Sequence, residues 1–352
     1  MAIEKIDIDS FLTLAKSIPV FDVRSPSEYN HAHIPGAISL PLFTDEERKI
    51  VGTTYKQKSR QLAIKAGLDF FGVKMKMMVE QVEEILKKNK QTSGTSEEVT
   101  VIVHCWRGGM RSAGVAWLLD LYGFKVYTLI GGYKTFRKWA LSQFEKNYPL
   151  RVLGGYTGSG KTQLLHELKK QNLPIIDLEG LAGHRGSAFG NIGLPKQPSQ
   201  EQFENCLALE LFFSKEAATL SNRSIWIEDE SQRIGDVNIP IGLWDQMRKS
   251  KLYFLNISFE ERLIHILKVY GNLDKMKMIN AIVRIKKRLG GLDAKDAVNA
   301  FMEDRIVDCF RILLRYYDKW YTKGMESREN LNENKINIPC ETVDPANAVN
   351  LL

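Results

Sequence analysis

Residues 155–162, GYTGSGKT, constrain the fold of this 352-residue chain more than any other segment. They match G-x-x-x-x-G-K-[ST], with the apolar run LRVLG before them and the helical pattern QLLHELKK after. A glycine loop between a buried strand and a helix start lets successive N–H groups converge on phosphate oxygens. Lys161 adds a point charge, and the Thr162 hydroxyl can hold a magnesium ion where one is used. Gly155, Gly158, Ser159, Gly160, Lys161 and Thr162 are therefore the candidate phosphate-binding residues, and the surrounding architecture should be α/β. ATP, GTP or any diphosphate would be held by the same atoms. No base-specificity motif accompanies the loop, which leaves room for a non-nucleotide diphosphate.

A chain of this length exceeds one compact domain, and the αβ rhythm does start twice. In the first half, strands are expected over 18–23, 99–104 and 125–129, with helices over 73–88 and 112–122 and a turn-rich QTSGTSEE at 91–98. The rhythm restarts with a strand over 150–153 after the polar stretch SQFEKNYP. The expected domains are thus 1–146 and 147–352. Further strands are expected over 174–177, 224–227 and 252–257, and strongly helical text follows from 260 to 323. Alternation of this kind predicts parallel sheets.

The four cysteines, Cys105, Cys206, Cys309 and Cys340, form no C-x-x-C pair, so neither a zinc ribbon nor a disulfide framework is expected, and no metal ligand set is assigned. No window holds 18 uninterrupted apolar residues. The opening MAIEKIDIDS is acidic where a signal peptide would be basic, so a cytoplasmic protein without membrane association is expected. The net charge of +7 is unevenly placed: residues 240–325 carry 17 Lys and Arg against 10 Asp and Glu. Such a stretch, densest at IKKRLGG (285–291), suits a polyanion such as RNA, and YYDKWY (316–321) offers rings for an unstacked base.

Chemistry is also written into VTVIVHCWRGGMRSAGVAWLLDLYGF. Cys105 ends an apolar strand and precedes two glycines and a helix start. Gly108 and Gly109 let the backbone turn its N–H groups toward the sulfur. The helix start, Arg107 and Arg111 favour thiolate over thiol. Cys105 is the candidate nucleophile, with Arg107 and Arg111 as an anion cradle. Asp22 and Arg24 read as an ion pair beneath this loop, and His33 as a turn residue. In the second half, SIWIEDESQRIG (224–235) places Glu228 and Asp229 after a short strand, where either can reach magnesium. DLEGLAGHRGSAFG (177–190) threads His184, Arg185 and Ser187 through four glycines, a loop suited to ligand contact.

FDVRSPSEYNHAHIPGAISLPL (21–42), CWRGGMRS and TLIGGYKTFRKW (128–139) resemble a rhodanese domain. That implies a rhodanese-like α/β domain, followed here by a P-loop NTPase-like α/β domain with a helical C-terminal part. The C-x5-R spacing is longer than in most sulfurtransferase rhodaneses. It also fits the H-C-x5-R-S pattern of cysteine phosphatases, so a phosphatase coupled to a P-loop phosphotransfer or nucleotide-switch domain is the alternative. VGTTYKQ (51–57), the HRGSAFG loop, EDESQRIG and YYDKWY together resemble the bacterial tRNA 2-selenouridine synthase family, over nearly the full chain. The resemblance implies a transferase acting on wobble 2-thiouridine in tRNA. It first forms S-geranyl-2-thiouridine from geranyl diphosphate, then replaces the S-geranyl group with selenium from selenophosphate. Cys105 would carry selenium, Arg107 and Arg111 would hold selenophosphate, and the P-loop would grip the diphosphate. No tightly bound cofactor is implied. tRNA and a selenophosphate-supplying enzyme are the partners.

Overall fold

The computed structural model describes residues 3–89, 99–270 and 275–351; the turn-rich 91–98 segment lies outside them. The chain divides into two compact units, Met1–Ser142 and Gln143–Leu352.

In the first unit five strands run all parallel in the order β1-β5-β4-β2-β3. They are β1 (Glu4–Ile6), β2 (Val20–Asp22), β3 (Ile38–Ser39), β4 (Thr100–His104) and β5 (Lys125–Leu129). β4 and β2 are almost wholly buried, as expected of central parallel strands covered on both faces. Around them lie α1 (Ile8–Leu14), α2 (Pro26–His31), α3 (Asp45–Gln57), α4 (Arg60–Gly72), α5 (Met75–Asn89), α6 (Met110–Tyr122) and α7 (Gly132–Gln143). The expected helix over 73–88 is α5, and α3 and α4 fill the long segment before it. α3 starts from a reciprocal cap, the Thr44 hydroxyl accepting the Glu47 N–H while Glu47 reaches back to Thr44.

The second unit has another five-stranded parallel sheet, ordered β12-β11-β6-β8-β7. β6 (Leu150–Gly155), β7 (Ile175–Ile176) and β8 (Ile225–Glu228) precede a small antiparallel pair, β9 (Arg233–Ile234) and β10 (Val237–Asn238). β11 (Lys251–Asn256) and β12 (Lys335–Pro339) complete the sheet. Its helices are α8 (Lys161–Lys170), α9 (Leu178–Ala182), α10 (Gln200–Ser221) and α11 (Ile241–Lys249). α12 (Phe259–Tyr270), α13 (Lys275–Leu289), α14 (Gly291–Met302), α15 (Ile306–Glu326) and the short α16 (Leu331–Asn334) follow. α12 to α15 share a separate apolar core that includes Met278, Ile282, Phe301, Leu313 and Phe189. The helical region therefore ends with a return to the sheet, because β12 pairs with β11 from Leu252↔Lys335 to Asn256↔Pro339. No described helix is long and apolar enough to cross a membrane.

Candidate functional site

The first constellation sits where β4 ends. Cys105 is buried, and its Sγ accepts the Gly109 N–H at 3.3 Å and lies 3.2 Å from the Ser112 hydroxyl. Burial alone would raise this thiol. The Ser112 hydroxyl and the N–H groups of Ser112, Arg107 and Gly109 outweigh it and bring the thiol below its ordinary value. The loop owes its curl partly to the glycine pair that follows β5, at the same end of the parallel sheet. Gly132 sits at φ 58°, and a Cβ there would lie 2.2 Å from the Cys105 carbonyl oxygen. The N–H groups of Tyr133 and Lys134 bind the carbonyls of Cys105 and Trp106 at 2.9 and 3.0 Å, locking the loop onto α7.

Beneath the loop Arg24 and Asp22 form the expected ion pair, fully buried at 2.6 Å, with the guanidinium 4.0 Å from the Tyr133 ring centroid. Arg24 also donates to the Ala32 carbonyl at 2.7 Å. His33 is stacked on Tyr29 and bonded to its carbonyl oxygen, a turn contact. The two candidate cradle arginines separate. Arg107 is exposed on the loop, whereas Arg111 makes a two-pronged contact with Glu28, at 2.6 and 3.2 Å. Burial would raise the Glu28 carboxyl, but Arg111 wins and holds it below the ordinary carboxylate value. Arg111 therefore faces a carboxylate, and the fork a tetrahedral anion would need at the C-x5-R arginine is already taken. The remaining cysteines have no comparable surround, and all four are free thiols. Burial pushes Cys309 up to about 12 and raises Cys206 and Cys340.

The second constellation is the glycine loop between β6 and α8. Lys161 Nζ donates to the Gly155 carbonyl at 3.1 Å, and the buried Ser159 hydroxyl has no partner among the described residues. Thr162 Oγ1 lies 3.0 Å from Glu179 and 3.2 Å from Glu228. Glu228 also accepts the Glu179 N–H at 2.7 Å. Glu179, Glu228 and Glu230 each bring an oxygen within 4.8 Å of the others. Burial and mutual repulsion raise all three carboxyls, Glu228 well above the ordinary value and Glu230 up to about 8. These oxygens beside the Thr162 hydroxyl are the donor chemistry that magnesium takes, so the residues fit such an ion.

Glu228 and Asp229 part company here. Asp229 is held by Arg328 and by the Tyr321 hydroxyl at 2.6 Å, and Tyr321 in turn accepts the Gly155 N–H at 3.1 Å. Asp229 thus braces the loop from behind, while Glu228 alone of the pair reaches Thr162. Glu179 and Glu230, which sequence reasoning passed over, complete the cluster. A signal existed: β7 and β8 are adjacent parallel strands, so residues just after each must meet at one sheet end.

The 183–190 loop closes over this cluster. Gly186 sits at φ 66°, and a Cβ there would lie 2.7 Å from both the Glu179 and Glu230 carboxylates. His184 is buried, its Nδ1 has no partner among the described residues, and burial lowers its basicity. Ser187 Oγ accepts the Phe189 N–H, and Arg185 is exposed. Tyr317 of α15 accepts the Ala188 N–H at 3.0 Å, tying the loop to the helical region.

Comparison with known proteins matches residues 148–335 to the tRNA 2-selenouridine synthase AAA domain and residues 8–138 to the rhodanese-like domain. A tRNA 2-selenouridine synthase of Hydrogenovibrio crunogenus is 34% identical over 348 residues, covering 89% of this chain and 91% of that protein. One of Nitrosomonas europaea is 37% identical over 273 residues, covering 75% of this chain and 67% of its own. Among solved structures, the N-terminal domain of a Clostridium difficile 630 protein described as ATP/GTP binding is 37% identical. It covers 40% of this chain and 99% of that one, with a TM-score of 0.34.

Proposed function

The chain belongs to the tRNA 2-selenouridine synthase family, and on that premise we propose that it is a tRNA-modifying transferase that replaces sulfur by selenium at a wobble 2-thiouridine. The P-loop takes geranyl diphosphate. The carbon–oxygen bond to diphosphate breaks as a bond forms from the thiouridine sulfur to the same carbon. Lys161 and the loop N–H groups stabilise the charge gathering on the departing diphosphate. Magnesium, when bound by Glu179, Glu228, Glu230 and Thr162, would supply further neutralisation of that charge.

In the second reaction selenophosphate replaces the S-geranyl group. Over the whole exchange the C2–S bond gives way to C2–Se, geranylthiol departs, and water carries the phosphoryl group away as phosphate, with no net oxidation. Geranylation turns sulfur into a leaving group that departs as a thiol. The Cys105 thiolate attacks the phosphorus of selenophosphate, and the P–Se bond breaks to release selenide, which adds at C2 and expels geranylthiol. Water then frees the thiol as phosphate departs; a selenophosphate-supplying enzyme would provide the donor. Arg107, exposed beside the thiol, is the cradle residue for the donor, and Arg111 serves indirectly by fixing Glu28 at the start of α2. His184, Arg185 and Ser187 stand where the covering loop would meet a substrate.

The observation that carries this reading is Cys105 itself, a buried thiol brought below its ordinary value by N–H groups and Ser112, in a chain that also holds a complete phosphate loop. The test is nucleoside mass spectrometry of 2-thiouridine-containing tRNA incubated with the protein, geranyl diphosphate and selenophosphate, each donor omitted in turn. Geranyl diphosphate alone should yield S-geranyl-2-thiouridine, and both donors 2-selenouridine. Cys105→Ala should stop selenation and spare geranylation, and Lys161→Ala should do the reverse, with ready-made S-geranyl tRNA restoring selenation. Equal loss of both steps in folded Cys105→Ala would refute the division of labour.

A further inference from the structure

α13 and α15 meet along a seam of unusual composition. Arg284, Lys287 and Arg288 share one face of α13 by their spacing of three and four, and all are exposed. On α15, Tyr316, Trp320 and Lys323 share a face in the same way. The two faces touch: the Arg288 guanidinium lies 5.9 Å from the Trp320 ring centroid and Lys323 Nζ 5.3 Å, while Tyr316 meets Trp320 edge-on at 6.4 Å. Both cation distances fall within the limit of about 6 Å for such contacts. Trp320 stays 41% exposed.

Charge points to the occupant. Among the described residues Arg284, Lys286, Lys287, Arg288, Lys319 and Lys323 have no carboxylate within ion-pair distance, whereas Arg262, Arg305 and Arg311 nearby in the chain are each paired. Cations unpaired with any carboxylate, Arg288 and Lys323 against the exposed indole and Arg284 and Lys287 along the same α13 face, match a polyanion that also carries flat rings. The seam also lies beside the phosphate loop. Tyr321, the next residue along α15, binds the Gly155 N–H and has Lys161 Nζ 5.9 Å from its ring. Arg284 is close enough to His184 to lower its basicity.

We propose that Trp320 is a stacking platform for one unpaired RNA base, with Arg288 and Lys323 gripping the flanking phosphates and the Arg284–Lys287 face continuing the backbone track. The proposal rests on the reading of the substrate as tRNA and adds to it the residue that receives a splayed base. It places single-stranded RNA, rather than duplex, at this seam, because only an unstacked base presents a free face to the indole.

The full chain would be titrated with a labelled RNA hairpin bearing a single-stranded loop and with a blunt duplex of the same stem. Trp320→Ala should weaken hairpin binding about 5- to 150-fold, the range set by loss of one base–aromatic stack, and leave duplex binding unchanged. Trp320→Phe, which keeps a ring, should recover most of the loss. Lys287→Ala should weaken both RNAs alike and reduce the salt dependence by about one phosphate contact. Hairpin affinity unchanged in Trp320→Ala, or an equal loss on the duplex, would overturn the platform while leaving the tRNA reading intact. Wild-type protein that binds neither RNA would overturn both.

Discussion

Arg328→Met tests whether Asp229 braces the phosphate loop or serves it directly. The Arg328 and Asp229 side chains are 2% and 8% exposed, and Arg328 also donates to the Met247 carbonyl at 2.8 Å. Removing one partner of a buried pair costs about 3–5 kcal/mol, because the other charge is left behind in a medium that solvates it poorly. Asp229 would keep the Tyr321 hydroxyl at 2.6 Å and the nearby Arg248, which favours the lower end, about 3 kcal/mol. For a unit of the size of Gln143–Leu352 that corresponds to a thermal midpoint lower by about 6–12 °C. The assay is a calorimetric or circular-dichroism melt of the full chain, following the transition of the C-terminal unit. Arg328→Met combined with Asp229→Leu should recover much of the loss, since no unpaired charge remains. In parallel, Asp229→Asn should lower the midpoint while binding inorganic diphosphate with magnesium nearly as wild type does, and Glu228→Gln should do the opposite. The reasoning is refuted if Arg328→Met melts within about 1 °C of wild type, or if Asp229→Asn loses diphosphate binding without losing stability.

Three further outcomes are expected. The pH profile of Cys105 alkylation by iodoacetamide should have its midpoint below that of an ordinary thiol. Ser112→Ala should move it upward, because the hydroxyl is the largest of the contacts that favour the thiolate. Gly132→Ala should lower the melting temperature of the N-terminal unit and slow that alkylation, since its Cβ meets the Cys105 carbonyl oxygen at 2.2 Å and backbone cannot yield as a flexible side chain does; an unperturbed melt would show that the two loops are not packed this tightly. Glu230, pushed up to about 8 by burial and by Glu179, keeps a proton in the fold that the unfolded chain releases at the ordinary carboxylate value. Its contribution to stability is therefore complete below that value and lost as pH rises through about 8. The cation-free midpoint of the C-terminal unit should fall between about pH 6 and pH 8.5, less steeply in Glu230→Gln, and a flat wild-type profile would contradict the assignment.

Much of the architecture is legible because central parallel strands are buried on both faces and read as apolar runs. The expected strand over 125–129 is β5 to the residue, that over 99–104 starts one residue later with the same end, and that over 252–257 shifts by one residue. The edge strands were not legible. β1 spans three residues with two exposed, and β12 alternates weakly in a polar segment, so neither offers a run to detect. α10 was legible in principle: Phe203, Leu207, Ala208, Leu211, Ser214 and Ala218 lie buried at helical spacing. At the sites, local geometry could be read from local text. Cys105, Gly109 and Ser112 fall within eight residues, and the phosphate loop is contiguous. Pairings between distant segments left no trace, as with Arg111 and Glu28, 83 positions apart. A string that shows an arginine beside a cysteine does not show the carboxylate that claims it.

The same reasoning explains why Glu228 and Asp229, adjacent in sequence, have opposite surroundings. Successive residues at a strand end point to opposite faces, so Glu228 is aimed at Thr162 on the α8 side, while Asp229 is turned toward α15 and the segment after it. Charge then separates their chemistry. Asp229 meets Arg328 and stays neutralised within the fold. Glu228 meets Glu179 and Glu230, and this accumulation of like charge is stable only while protons or a cation offset it. The fold thus gathers three carboxylates beside Thr162 and pairs Asp229 with Arg328 behind the loop. α15 supplies the bracing through Tyr317, Tyr321 and Thr322, which contact the covering loop and the phosphate loop from one helix. The next residue to Tyr321 on that helix is the exposed Trp320, so a base stacked there would press on the element that holds both loops in place.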